Sequence, residues 1–215
     1  MDQSYAAVWP DFTPPLTGVV RSELIPTADE QALAWLEDLR DPLLFDLKDQ
    51  NEEVANFRDW LGRVGESIVV ESERQQGRRV RQVSLISDSY GFDVESIDDT
   101  GRRCIEVKTA LESTRSRFFI SKNEVTKAAT FHKEWHLVQV ILRQDALADE
   151  LITNEHIFHS RTLEATSMIE LVPTDTETGV WVDSARITPP KDDWSTWELS
   201  VPACWCFPGY NIDRR

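Results

Sequence analysis

Apolar residues recur at helical spacing in two segments near the start of the chain. In the first, apolar side chains three or four positions apart predict a helix over 28–40: Ala32, Leu33, Leu36 and Leu39. The second has a longer stripe of the same kind: Phe57, Trp60, Leu61, Val64 and Ile68. This stripe predicts a helix over about 51–75 that packs one face on a core and stops before Gly77. Residues 1–26 contain four prolines and no clear period, which indicates an extended arm.

Stretches with partial alternation of apolar and polar residues follow the second helix. They lie at 80–86, 91–97 and 102–109, and alternation of this kind is typical of half-buried strands. The sequence Asp-Asp-Thr-Gly at 98–101 favours a tight turn. We therefore expect the second and third strands to form a hairpin.

A third helix and a buried strand come next. Ser121 and Glu124 have the spacing of a capping box, which predicts a helix over 122–133. Residues 135–142, with the sequence WHLVQVIL, form a nearly continuous apolar run that suits a strand buried on both faces. The order helix, three strands, helix, strand indicates an α/β or α+β fold.

The pattern weakens beyond residue 145. The segments 151–158 and 163–171 fit short helices or short strands, and the alternatives stay open at this point. The segments 180–182 and 194–201 favour short strands on either side of a proline pair.

Charge is distributed unevenly along the 215 residues, whose net charge is -15. Residues 1–60 hold 4 basic and 13 acidic side chains, residues 141–215 hold 6 and 13, and residues 61–140 hold 13 and 12. A uniformly acidic surface repels a phosphate backbone, but the near-neutral centre removes that objection to nucleic acid. Acidic flanks that only keep the protein soluble are the alternative explanation.

The uneven charge distribution, together with the concentration of Trp residues in the flanks, predicts that the chain has three parts. They are an N-terminal arm and helix (1–55), a core (56–144) and a C-terminal extension packed on that core (145–215). The N-terminus lacks the basic and apolar regions of a signal peptide, and the three cysteines do not form a C-x-x-C pair. A cytoplasmic location without a membrane partner is therefore expected.

Candidate chemistry lies on the predicted hairpin. Glu106 and Lys108 occupy alternate positions of the third strand, so their side chains point to one face. Asp93, separated from Glu106 by twelve residues, lies in the second strand and can approach it across the hairpin. Two carboxylates suit a hard cation, and an adjacent lysine can orient water or stabilise charge on a phosphate. The pattern predicts phosphodiester hydrolysis, with a surface ion pair between Glu106 and Lys108 as the alternative.

Four short motifs accompany this pattern, namely 62–66 (GRVGE), 91–94 (GFDV), 105–109 (IEVKT) and 120–124 (ISKNE). With them, the segment 60–142 resembles the PD-(D/E)XK nuclease superfamily. Within that superfamily it resembles the family found at the C-terminus of the plant protein NO VEIN and in bacterial restriction-type proteins. Phe92 occupies the position of the proline in the superfamily's name.

The resemblance implies a restriction-endonuclease-like αβββαβ core, a central mixed sheet flanked by helices. It implies a Mg²⁺ or Mn²⁺ site on Asp93 and Glu106, with catalytic roles for Lys108 and, from the first helix, Glu66. Asn123 and Glu124 would support the site. Basic residues after the catalytic strand are candidate phosphate contacts: Arg115, Arg117, Lys122 and Lys127.

The sequence suggests three functions. The complete Asp93–Glu106–Lys108 set favours a metal-dependent deoxyribonuclease acting in restriction, anti-phage defence or DNA repair. A non-catalytic module that binds nucleic acid or protein is the alternative, and a DNA mimic is disfavoured by the near-neutral centre. The sequence contains no P-loop, so a translocating system would need a separate ATPase or helicase subunit. DNA is the expected partner, and a homodimer is compatible with the sequence.

Overall fold

A computed structural model of the protein describes residues 50–173 and 184–210. The predicted arm, the helix over 28–40 and the strand over 180–182 lie outside the described residues. By its internal contacts the chain divides into two units, Met1–Val54 and Ala55–Arg215. The three-part division expected from charge and Trp content stays a prediction.

The elements of the predicted core follow one another in the expected order. They are helix α1 (Gln50–Gln75), strands β1 (Arg79–Gln82), β2 (Val94–Asp98), β3 (Gly101–Leu111) and β4 (Phe118–Ser121), helix α2 (Lys122–Phe131) and strand β5 (Trp135–Leu142). Ser121 caps α2 through the predicted capping box with Glu124. Short elements complete the described chain: β6 (Leu151–Thr153), β7 (Ile157–Glu164), helix α3 (Ala165–Leu171), β8 (Ser184–Ile187), β9 (Ser195–Thr196) and β10 (Cys206–Pro208).

A mixed six-stranded sheet forms the centre, in the order β1-β2-β3-β5-β7-β9. Strands β3 and β5 are parallel, and the other neighbours in this sheet are antiparallel. Two smaller sheets pair β4 with β8 and β6 with β10. The predicted fold class is confirmed, since helices flank a central mixed sheet and the core elements follow the αβββαβ order, with the short β4 inserted before α2.

The two faces of the sheet carry different cores. Helix α1 packs on one face, where Val64 and Ile68 meet Ile105 and Val107 of β3. The opposite face is covered by α2, α3 and the β4–β8 pair, and Cys104 belongs to this second core. Because side chains alternate along β3, Glu106 and Lys108 share the face of Cys104.

Strands β1 and β2 are shorter than predicted, so residues 83–93 form a loop and Asp93 lies just before β2. The backbone explains the difference. The carbonyl of Asp93 accepts from the amides of both Val83 and Ser84, and Gly91 has a positive φ of 64°. Among the described residues, no helix is both long and apolar enough to cross a membrane.

Candidate active site

The hairpin brings Asp93 against the strand that carries Glu106 and Lys108. The Asp93 carboxylate accepts from the Val107 amide at 2.8 Å, and its own amide donates to the Ile105 carbonyl at 2.9 Å. Glu106 is buried, with 3% of its surface exposed, and its Oε1 lies 2.7 Å from Lys108 Nζ. The Glu106–Lys108 pair is therefore not the exposed surface ion pair considered as the alternative.

Helix α1 places Glu66 beside this hairpin. Its carboxylate accepts from Gln82 Nε2 at 2.7 Å and from Ser84 Oγ at 2.5 Å. The preceding residue, Gly65, allows the helix to lie close to the sheet, because a Cβ built there would fall 1.8 Å from Thr109 Oγ1. The missing side chain lets α1 approach β3 one residue beyond Lys108.

Helix α2 closes the other side of the site through Glu124. One of its oxygens, Oε2, accepts from the Ser121 amide at 2.8 Å and lies 3.2 Å from Lys108 Nζ. The capping box thus also holds the site lysine. Asn123 and Lys127 of the same helix pack on Gly91, where an added Cβ would fall 2.5 Å from Lys127 Cγ.

We name Glu66, Asp93, Glu106 and Glu124 the carboxylate cluster. Burial, followed by the charge of Glu66, raises the pKa of Asp93 to about 7. Burial and the charge of Asp93 raise the pKa of Glu106 well above its ordinary value. Burial alone lowers the pKa of Lys108, but Glu106 and Glu124 raise it more, so the net pKa is above its ordinary value. Lys108 therefore remains charged, while the neighbouring carboxylates repel one another.

The donor set fits a divalent cation held by few protein ligands. Burial raises the pKa values of Asp93 and Glu106 most, and the charge of a neighbouring carboxylate raises each further, so a bound cation would favour their charged forms. Within the described residues, no three His, Cys, Asp or Glu side chains form a metal-binding group. Magnesium suits such a place, since it is commonly bound by one or two carboxylates and keeps several waters.

The part of the chain that carries the carboxylate cluster matches a known protein family. Residues 63–150 match the family model described as Protein NO VEIN, C-terminal. The match confirms the resemblance to that family and covers about two-fifths of the chain. The structure is also similar to that of Hjc, a Holliday junction resolvase from the hyperthermophile Archaeoglobus fulgidus. That similarity has 13% identity, covers 59% of this chain and 83% of the other, and has a TM-score of 0.35. No curated protein matches the chain.

The candidate phosphate contacts of this NO VEIN-like segment lie on two elements. Arg115 and Arg117 are exposed in the connection between β3 and β4, and Lys122 and Lys127 belong to α2. Arg115 donates to the Glu112 carbonyl at 2.8 Å and lies over the ring of Phe158. The structure therefore fixes where these four residues lie, and their role as phosphate contacts stays a prediction.

Sequence analysis missed polar residues of the NO VEIN-like segment that surround the site. Gln82 and Ser84 hold Glu66, and Gln139 of β5 pairs in register with Lys108. Gln139 is fully buried and accepts from Arg161 Nε at 2.8 Å, while its Nε2 finds no acceptor among the described residues. A single glutamine inside the apolar run WHLVQVIL was the available signal, because buried polar side chains need a partner.

Proposed function

We propose that this protein is a metal-dependent nuclease that hydrolyses DNA phosphodiester bonds, in restriction, anti-phage defence or DNA repair. The observation that carries the proposal is the buried Glu106–Lys108 pair facing Asp93 on one hairpin. A buried charge cluster is costly to maintain, and such clusters concentrate at catalytic sites. The match to the NO VEIN C-terminal family over residues 63–150 supports the proposal.

Each site residue has a separate role in the proposed reaction. Asp93 and Glu106 would hold Mg²⁺ or Mn²⁺, which when bound polarises a phosphate oxygen and lowers the pKa of water. Lys108 keeps its proton, so it acts as a fixed positive charge that orients the attacking water and stabilises the growing charge on the phosphate. Glu124 holds Lys108 in place, and Glu66 adds negative charge beside Asp93.

One observation favours the alternative of a non-catalytic nucleic-acid or protein interaction module on a nuclease fold. Lys108 is paired with two carboxylates, those of Glu106 and Glu124, as is expected of a lysine whose role is purely structural. The two functions differ in the consequence of removing the lysine. A structural lysine is needed for stability whether or not metal is present, whereas a catalytic lysine is needed for rate once a cation neutralises the carboxylates.

The test is a cleavage assay with Mg²⁺ or Mn²⁺ on plasmid, linear, single-stranded and modified DNA, with RNA as a further substrate. With metal present, we expect Lys108→Ala to lower the cleavage rate by at least about a hundredfold, with DNA binding and melting temperature unchanged. Lys133→Ala, which removes an exposed lysine, should cleave like the wild type. A Lys108→Ala variant that cleaves normally, or melts much lower with metal bound, would make the Glu106–Lys108 contact an ordinary ion pair. A wild type that binds these substrates but cleaves none of them would favour the interaction module.

A further inference from the structure

The loop between β1 and β2 exposes two adjacent aliphatic side chains. Leu85 is 74% exposed and Ile86 is 58% exposed, the two highest values among the large hydrophobic residues of the described ranges. Ser84 precedes them and Ser87 follows them, so the tip of the loop is an uncharged Ser-Leu-Ile-Ser sequence. We name residues 84–87 the aliphatic tip. Exposed Leu or Ile residues are ordinary when isolated, but two together at a turn form a small apolar projection.

The aliphatic tip is fastened to the carboxylate cluster. Ser84 Oγ donates to Glu66 at 2.5 Å, and the amides of Val83 and Ser84 donate to the Asp93 carbonyl at 2.7 and 3.2 Å. Val83 is fully buried, and its carbonyl accepts from the amides of Ile86 and Ser87. The turn is thus closed on itself and anchored to Glu66 and to the backbone of Asp93, so Leu85 and Ile86 are carried by a loop that is held at the cluster.

The size and chemistry of the tip favour one class of occupant. A stable protein interface needs roughly 800 Å² from each partner, far more than two aliphatic side chains supply. Nucleic acid offers a different apolar target, the space between stacked bases, which Leu and Ile side chains enter in proteins that kink DNA. An uncharged tip also avoids burying a charge between bases.

Resting on the proposed nuclease function, we propose that Leu85 and Ile86 insert into a base step next to the phosphate that is cut. Insertion into paired DNA must first unstack a step, whereas a mismatched or bulged step is already open. The enzyme therefore prefers DNA whose stacking is disrupted beside the cleavage position. The tip determines this substrate preference, and the carboxylate cluster performs the cleavage.

The experiment compares the wild type with the double variant Leu85→Ser/Ile86→Ser. Leu151→Ser is the matched control, because Leu151 is 51% exposed but lies in β6, which pairs with β10 and not with the central sheet. Cleavage rates are measured on a fully paired duplex and on the same duplex with one mismatched step. A 2-aminopurine base placed at that step becomes more fluorescent when the step is unstacked. This signal is measured on binding with Ca²⁺ in place of Mg²⁺, so it does not depend on cleavage.

We expect the wild type and Leu151→Ser to prefer the mismatched duplex by at least about tenfold. The double variant should cleave both duplexes within about twofold of each other, lose the fluorescence rise and keep its melting temperature. A double variant with wild-type preference and fluorescence overturns the inference, as does a wild type that cleaves DNA without unstacking any step. A change of oligomeric state with the preference intact would instead make the tip a protein contact, and also overturns it. A wild type that neither binds nor cleaves DNA overturns the nuclease proposal itself, and the insertion with it.

Discussion

Asp93 is the residue on which the proposed metal site most depends. Its carboxylate has two tasks, because it accepts from the Val107 amide and also faces the buried Glu106. Asn keeps an oxygen for the amide hydrogen bond and removes the negative charge. The substitution therefore separates the fold of the hairpin from the affinity for metal.

We expect Asp93→Asn to abolish Mn²⁺ binding measured by titration calorimetry while the protein stays folded. The physical reason is that a neutral amide is a much weaker ligand than a carboxylate for a hard cation. Asp99→Asn is the matched control, because Asp99 is exposed in the 98–101 turn. Wild-type Mn²⁺ affinity in Asp93→Asn would show that the ion binds elsewhere.

The local sequence pattern was enough to predict that Asp93, Glu106 and Lys108 lie close together. A single turn determines how two strands pair, and side chains at alternate positions of a strand share one face. The same reasoning could not supply Ser84 or Gln139. Ser84 reaches Glu66 only because the chain leaves the sheet at residue 83, and Gln139 meets Lys108 only through a parallel pairing of distant strands. Such contacts depend on tertiary packing and leave little trace in local spacing.

At the scale of elements, the distance between α1 and β3 determines where Glu66 lies. Gly65→Ala places a methyl group against the side chain of Thr109, so the helix must move away from the strand. We expect a loss of about 1–3 kcal/mol in the free energy of unfolding, as for other overpacked sites, together with slower cleavage.

Two further variants test this explanation for Gly65. Gly62→Ala changes a glycine of the same helix whose Cβ would meet nothing within 4 Å, so it should be neutral or stabilising by up to about 1 kcal/mol. Adding Thr109→Ala to Gly65→Ala removes the obstructing γ atoms and should recover part of the loss. Denaturant unfolding of these three variants and the wild type measures both effects, and a Gly65→Ala protein as stable as the wild type would contradict the close approach.

Glu124 of α2 both caps the helix, by accepting from the Ser121 amide, and pairs with Lys108 of the site. Both Glu124→Gln and Glu124→Ala remove the charge next to Lys108, so both should slow cleavage by about ten- to a hundredfold, as is typical for residues that orient an active-site group. Only Gln preserves the hydrogen bond to the Ser121 amide. Glu124→Ala should therefore be about 1 kcal/mol less stable than Glu124→Gln by thermal unfolding. Full activity in Glu124→Gln would limit this residue to capping the helix.

Elements with a strong repeating pattern were predicted close to their observed bounds. Strand β5 covers the whole predicted run, and α1 and α2 begin within one residue of expectation. The two ends of the loop, 83–86 and 91–93, were predicted as strand because their apolar residues mimic alternation, although Leu85 and Ile86 are exposed. Strand β4 was missed because its partner is β8, more than sixty residues away in sequence.

On the scale of the whole molecule, the last described segment returns to α1. Trp60 Nε1 donates to the Pro208 carbonyl at 2.8 Å, and the Ser200 amide donates to Ser72 Oγ at 2.8 Å. The rings of Phe57 and Tyr210 meet edge to face at 5.1 Å between centroids. The C-terminal segment therefore contacts α1, whereas Glu106, Lys108 and Glu124 lie on the α2 side of the sheet.

Charge over the whole chain limits how the protein can hold DNA. With a net charge of -15, phosphate contacts must come from the few basic residues near the site. Each neutralised phosphate contributes about -0.9 to the slope of log K against log salt concentration, so four contacts predict a slope of about -3.6. The four are the proposed contacts Arg115, Arg117, Lys122 and Lys127.

The double variant Arg115→Ala/Arg117→Ala should reduce that slope to about -1.8, because two of the four contacts are removed. The measurement is fluorescence anisotropy of labelled DNA over a salt series, in the Lys108→Ala background so that the DNA is not cut. Arg143→Ala is the control, since this exposed arginine pairs with Asp145 at the end of β5 and should leave the slope unchanged. An unchanged slope in the double variant would exclude the β3–β4 connection from the DNA path and leave phosphate binding to other basic residues, such as those of α2.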